Sequence, residues 1–187
     1  EKNNIDFNPE NSALLLIDFL IDNDDNHPRY HVVNEFRKMG IPIFHYMHEF
    51  INIHGMSEIL LPLQFSDFIV RNDNVKILEA ASNFNRQNDI KNIFVMGYGA
   101  AVCVKYTRFN SVDYLSDLYP NVKILPIEEG ITSNSTSDKW AISQFRSSTG
   151  TVSALDILNT INTNNSIIKN ISDNYMEKFN KISSYEL

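Results

Sequence analysis

Apolar positions along the chain fall into two alternating rhythms. Ala13–Asp18 (ALLLID) is a short continuous apolar run closed by a charge, as expected of a strand buried on both faces. Ile41–Met47, Asp67–Arg71, Asn92–Gly97 and Val122–Ile127 repeat the short-run pattern and predict four more strands, with Thr151–Ala154 as a short sixth. Helical spacing fills the gaps. Tyr30–Met39 has it and stops at Gly40. Asn74–Asn88 places Ile77, Leu78, Ala81 and Phe84 on one face. Further helices are predicted from about Ala101 to Leu118 and over Thr136–Arg146. This repeating βα order predicts an α/β fold: three layers, α/β/α, around a central parallel sheet. With no internal repeat and no long linker, residues 1–160 read as one domain. Asn162–Asn165 (NTNN) reads as a loop, after which Ile168, Ile171, Tyr175, Phe179 and Ile182 recur on one helical face. Residues 161–187 are therefore expected to be a C-terminal helical extension, packed on its own domain or against a second copy or a partner.

Composition narrows the function classes. The chain has 187 residues, 43% hydrophobic and 21% charged, ordinary for a soluble globular domain. Net charge is −7, and no segment concentrates Lys and Arg, which argues against nucleic acid as a partner. The longest aliphatic run, Ala13–Ile17, is far short of the ~20 residues that span a bilayer. No signal-peptide pattern is visible at the start. There is one cysteine, Cys103, so an internal disulfide framework and a cysteine-based zinc site are ruled out. A lone thiol suits a reducing compartment, and a cytoplasmic location is expected.

In parallel sheets the ligand site lies outside the carboxyl ends of the strands. That rule selects Asp18, the stretch from His45 to His48, Arg71, the segment Gly97–Cys103, and Glu128–Glu129. In Gly97-Tyr98-Gly99 two glycines within three residues allow a tight turn between a strand and a helix. Cys103 then falls in the first helical turn, where unpaired N–H groups and the helix dipole favour a thiolate and could hold an oxyanion. The expectation is a lowered thiol pKa; the competing reading is a buried filler. Asp18 ends the first strand at the same edge, placed to take the thiol proton or to serve as a helix cap.

These segments resemble the isochorismatase-like cysteine hydrolases, a family that includes nicotinamidases, N-carbamoyl amide hydrolases and isochorismatases. The resemblance runs from about Ser12 to Leu158. Ala13–Asp18 looks like the family's first strand with its catalytic aspartate. Gly40-Ile41-Pro42-Ile43 looks like the approach to strand two, and Gly55–Glu58 with Asp67–Val70 like the approach to strand three. The most specific match is Gly97–Thr107 (GYGAAVCVKYT), which resembles the nucleophile segment "G-x-x-T-x-x-C-V-x-x-T". The resemblance implies a Rossmann-like topology, Cys103 as a nucleophile forming a thioester, and Asp18 as the base. It also implies a cis peptide joining Tyr98 to Gly99 that aims the N–H groups of Gly99 and Cys103 at the oxyanion. Family members tend to form dimers or larger assemblies, which implies a homo-oligomer.

The departures are specific. The family's catalytic lysine at the end of strand three is Arg71 here, which keeps a positive charge but cannot give up a proton. Lys76, five residues on, is a weaker candidate for that role. The family threonine of the nucleophile segment is Ala100. His45 and His48 follow strand two, but the Asp-x-His pattern with which nicotinamidases bind metal is absent, so no metal and no cofactor are expected. His45, His48, Tyr98 and Trp140 are instead candidates for a substrate-pocket wall. The leading expectation is a hydrolase of a small-molecule amide C–N bond. The alternatives are a divergent member that binds a small molecule or partner without hydrolysis, and an isochorismate-type vinyl-ether hydrolase.

Overall fold

The computed structural model describes residues 7–19, 27–46, 67–70, 78, 90–106, 110–132 and 137–163. Five strands, β1 (Ser12–Ile17), β2 (Ile43–Tyr46), β3 (Asp67–Val70), β4 (Asn92–Tyr98) and β5 (Lys123–Thr132), form one sheet in the order β3-β2-β1-β4-β5. Every pairing is parallel. All six residues of β1 are buried, because β1 is the central strand and is covered on both faces. The expected sixth strand is reduced to one bridge, Val152 against Ile127.

Odd and even strand positions face two separate cores. Leu15, Ile17, Phe44, Tyr46, Ile93 and Val95 face one, closed by a π-helical turn (Ala100–Val104), α2 (Val112–Leu118) and α3 (Ser137–Ser147). Leu14, Leu16, Ile43, Phe94 and Met96 face the other, closed by α1 (Pro28–Lys38) and α4 (Ala154–Thr163). The expected three-layer α/β/α architecture is the one observed.

Local chemistry sets the helix limits. α1 opens on Pro28, whose missing N–H costs nothing at a helix start. It closes where Gly40, at φ 67, lets Ile41 N–H donate to Phe36 O and Gly40 N–H to Arg37 O, both at 3.0 Å. The start of α4 is capped from the sheet: Glu129 accepts from Ser153 Oγ and from the Ala154 N–H, each at 2.7 Å. The long helix expected from Ala101 to Leu118 is broken in two. Its first part is only the π-helical turn, and α2 restarts after Asn110, at φ 55, with Ser111 as N-cap. α4 runs through the expected domain limit at residue 160. The helix expected over Ile168–Ile182 lies outside the described residues, as does all of the one over Asn74–Asn88 except the helical Leu78.

Candidate active site

One backbone row organises the carboxyl edge of the sheet. Val70 pairs with Tyr46, Tyr46 with Ile17, and Ile17 with Gly97. Asp18 leaves β1 one residue beyond this row, and Tyr98, the last residue of β4, stands one residue beyond it as well. The close approach of β1 and β4 needs a glycine: a Cβ on Gly97 would lie 2.3 Å from the Ile17 carbonyl oxygen.

The chain then reverses at Gly99, which takes φ 78 and ψ 51. In this left-handed conformation its carbonyl accepts from Val102 N–H at 2.9 Å and Val104 N–H at 3.2 Å, which sets up the π-helical turn. Cys103 folds back over this glycine, so that a Cβ at position 99 would sit 3.1 Å from its Sγ. Both sequence-derived expectations about the backbone here need correction. The Tyr98–Gly99 peptide is trans, as is every described peptide bond. The Gly99 N–H donates to the Thr132 carbonyl on β5 at 2.8 Å, so it is not aimed at a reacting oxygen. The left-handed glycine makes the turn that the cis bond was expected to make.

Asp18 and Cys103 do meet. Asp18 is 1% exposed, its N–H donates to Tyr46 O at 2.9 Å, and its carboxylate is hydrogen-bonded to the Cys103 thiol. The thiol pKa is pushed up to about 12, first by burial, then by the negative charge of Asp18 and the hydrogen bond to it. The Cys103 backbone N–H works in the opposite direction, with a smaller effect. The lowered pKa expected from a helix start is therefore overturned. A five-residue π-helical turn aligns few peptide dipoles, and a buried carboxylate outweighs them. With a pKa near 12 about one thiol in 10⁵ is ionised at pH 7, so the resting site holds a thiol that donates to a carboxylate.

The other candidates divide. Tyr98 is half-buried at the end of β4, opposite Thr132. His45 is engaged by a carboxylate. It is 5% exposed, and its Nε2 lies 2.9 Å from Asp67, which Arg37 of α1 also holds through two nitrogens. It shares a strand face with Ile43, on the side of the sheet away from Cys103, and its partner lies at the start of β3. Trp140 is 46% exposed on α3 and tilts against Tyr106, with ring centroids 6.2 Å apart. Nothing places it at the thiol. Arg71, Lys76 and His48 lie outside the described residues. Among the described residues no three His, Cys, Asp or Glu side chains are grouped as a metal site, and no helix is long and apolar enough to cross a membrane.

Two features escaped the sequence reading. Lys105, two residues after the nucleophile candidate, is buried with its ammonium 3.0 Å from Asp113 and 5.2 Å above the Phe145 ring. The other is the conformation of Asp18 itself, at φ 46.

The fold has counterparts among solved structures. An isochorismatase family protein from Desulfovibrio vulgaris superposes with a TM-score of 0.52 at 9% identity, covering 81% of this chain and 98% of that one. An isochorismatase-like hydrolase from Alkaliphilus metalliredigens gives 0.50 at 12% identity, covering 80% and 98%. The fold is isochorismatase-like. A ribonuclease from Caenorhabditis elegans shares it, with a TM-score of 0.53 at 16% identity and coverage of 88% and 91%. No family model matches the sequence, and no curated protein matches it.

Proposed function

We propose that the protein hydrolyses the C–N bond of a small-molecule amide through Cys103. The observation that carries this reading is the hydrogen bond from the Cys103 thiol to the buried Asp18 at the carboxyl edge of the sheet. As the sulfur attacks the amide carbon, its proton passes to Asp18. Collapse of the tetrahedral intermediate breaks the C–N bond, and Asp18 returns that proton to the leaving nitrogen. The product is a thioester on Cys103. Asp18 then takes a proton from water as the water oxygen attacks the thioester carbon. The acid leaves, and the sulfur recovers a proton from Asp18. Because the resting thiol is neutral, proton transfer has to accompany attack, and a nearby cation would lower its cost. Arg71, which directly follows the end of β3, is the residue assigned that role.

Asp18→Asn distinguishes this mechanism from a merely structural contact. It should abolish amide turnover and yet make Cys103 easier to alkylate at pH 8–9, because the charge that holds the proton on sulfur is gone. A panel of small primary amides and N-carbamoyl compounds, read by ammonia release with Cys103→Ala as control, tests the activity. Ammonia release equal in parent and Cys103→Ala would overturn the reading. The second reading, a binding protein of the same fold without hydrolysis, draws on the same raised thiol pKa. It predicts that panel compounds bind but are not consumed, and that Arg71→Lys brings turnover back.

A further inference from the structure

The two cores assign the residues of β1 by parity. Ala13, Leu15 and Ile17 face the core against which Cys103 packs, whereas Leu14 and Leu16 face the α1 side. A strand continued at period two would send Asp18 to the α1 side and Phe19 to the Cys103 side. The structure shows the reverse. Asp18 is bonded to Cys103, and Phe19, 3% exposed, belongs to the α1-side core.

The inversion takes place at Asp18, the residue with φ 46. A non-glycine residue there is strained and persists only where its surroundings hold both flanks. The upstream flank is held by the sheet: Ile17 is paired on both sides, and the Asp18 N–H is bonded to Tyr46 O. The downstream flank is held by Phe19. Tyr30 meets its ring edge-on at 5.9 Å, and the Arg29 guanidinium lies 5.4 Å above it. Arg29 is itself 3% exposed, lies 4.9 Å over the Tyr30 ring and donates to the Tyr30 hydroxyl at 3.0 Å. Both residues belong to the first turn of α1.

We propose that the Phe19–Arg29–Tyr30 cluster is the positioning device for Asp18: seating Phe19 on the α1 side turns the Asp18 carboxylate onto the face where Cys103 lies. Phe19 and Tyr30 belong to the α1-side core, whereas Cys103 packs against the other. The three act through the aspartate, and the proposal rests on the Asp18–Cys103 pairing described above.

Because Cys103 is the only cysteine, iodoacetamide alkylation of the intact protein reads it directly. The experiment is a double-mutant cycle of Phe19→Ala with Asp18→Asn, measuring the alkylation rate at pH 9. Each single variant should raise the rate by about tenfold, equivalent to one unit of thiol pKa, and the double variant should be no faster than either. Phe19→Leu, which still fills the α1 side, should stay near the parent. If circular dichroism shows Phe19→Ala to be unfolded, Arg29→Met takes its place in the cycle. A Phe19→Ala rate equal to the parent's, or a further multiplication of the rate in the Asp18→Asn background, overturns the proposal. An unchanged rate in Asp18→Asn alone sinks the Asp18–Cys103 pairing, and the proposal with it. A non-additive cycle in a protein that releases no ammonia leaves the positioning device standing and removes only the hydrolase reading.

Discussion

Gly99 and Gly150 provide a matched pair for testing how the nucleophile turn is built. Both are left-handed, at φ 78 and φ 81. An alanine at either position pays the same backbone cost, about 1–2 kcal/mol. For a chain of this length that is roughly 2–8 °C in Tm. They differ in what the new methyl group meets. At Gly150 nothing lies within 4 Å, whereas at Gly99 the Cys103 sulfur is at 3.1 Å and the Cys103 Cβ at 3.2 Å. Relieving those contacts requires Cys103 to shift by a few tenths of an ångström, away from the glycine and out of line with Asp18. Gly150→Ala should therefore lower Tm and leave the pH profile of Cys103 alkylation unchanged. Gly99→Ala should lower Tm at least as much and move that profile to lower pH, as the grip of Asp18 on the proton loosens. Thermal melts followed by circular dichroism and alkylation between pH 7 and 10 measure both quantities. Equal profiles in the two variants would refute the idea that the thiol is seated against Gly99.

Three further predictions concern the frame. Gly97→Ala pushes a Cβ to within 2.3 Å of the Ile17 carbonyl oxygen, a backbone atom that cannot swing aside, and should cost roughly 1–3 kcal/mol or more in urea unfolding. Asp67→Ala removes the carboxylate that Arg37 and the buried His45 share and should cost about 3–5 kcal/mol, while alkylation of Cys103 in the folded protein stays at the parental rate. Glu128 is held below the usual carboxylate range, chiefly by its hydrogen bond from Arg146 and further by Thr151. A depressed folded-state pKa stabilises above the unfolded value and loses that stabilisation as pH falls through the folded one. The Tm gap between parent and Glu128→Gln should thus be present at pH 7 and close as the pH drops below the ordinary carboxylate range near 4.5.

Continuous burial is easy to read along a chain, and β1 shows why: when both faces are covered, the apolar run needs no phase. The placement of Cys103 beyond a glycine turn and opposite Asp18 was legible for the same reason, since strand ends in a parallel sheet share one edge. Contacts that depend on direction were not. His45 carries the same letter whether it faces a ligand or an ion pair, and its partner Asp67 lies 22 residues away. The break between Val104 and Val112 was hidden because the apolar spacing runs on through it; the α2 cap on Ser111 was the local signal. The thiol pKa went the other way because a helix start was weighed without the desolvation that accompanies burial.

The row Val70–Tyr46–Ile17–Gly97 has an evolutionary consequence. Positions 18 and 98 each follow a residue of one hydrogen-bonded line, so their addresses are set by backbone pairing and not by the identity of the side chains they carry. A substitution at position 18 can then change the charge and proton inventory of the edge without re-registering the sheet. Chemistry on such a frame is a replaceable fitting. The side chain presented at such an address is exchangeable while the strands around it keep their register.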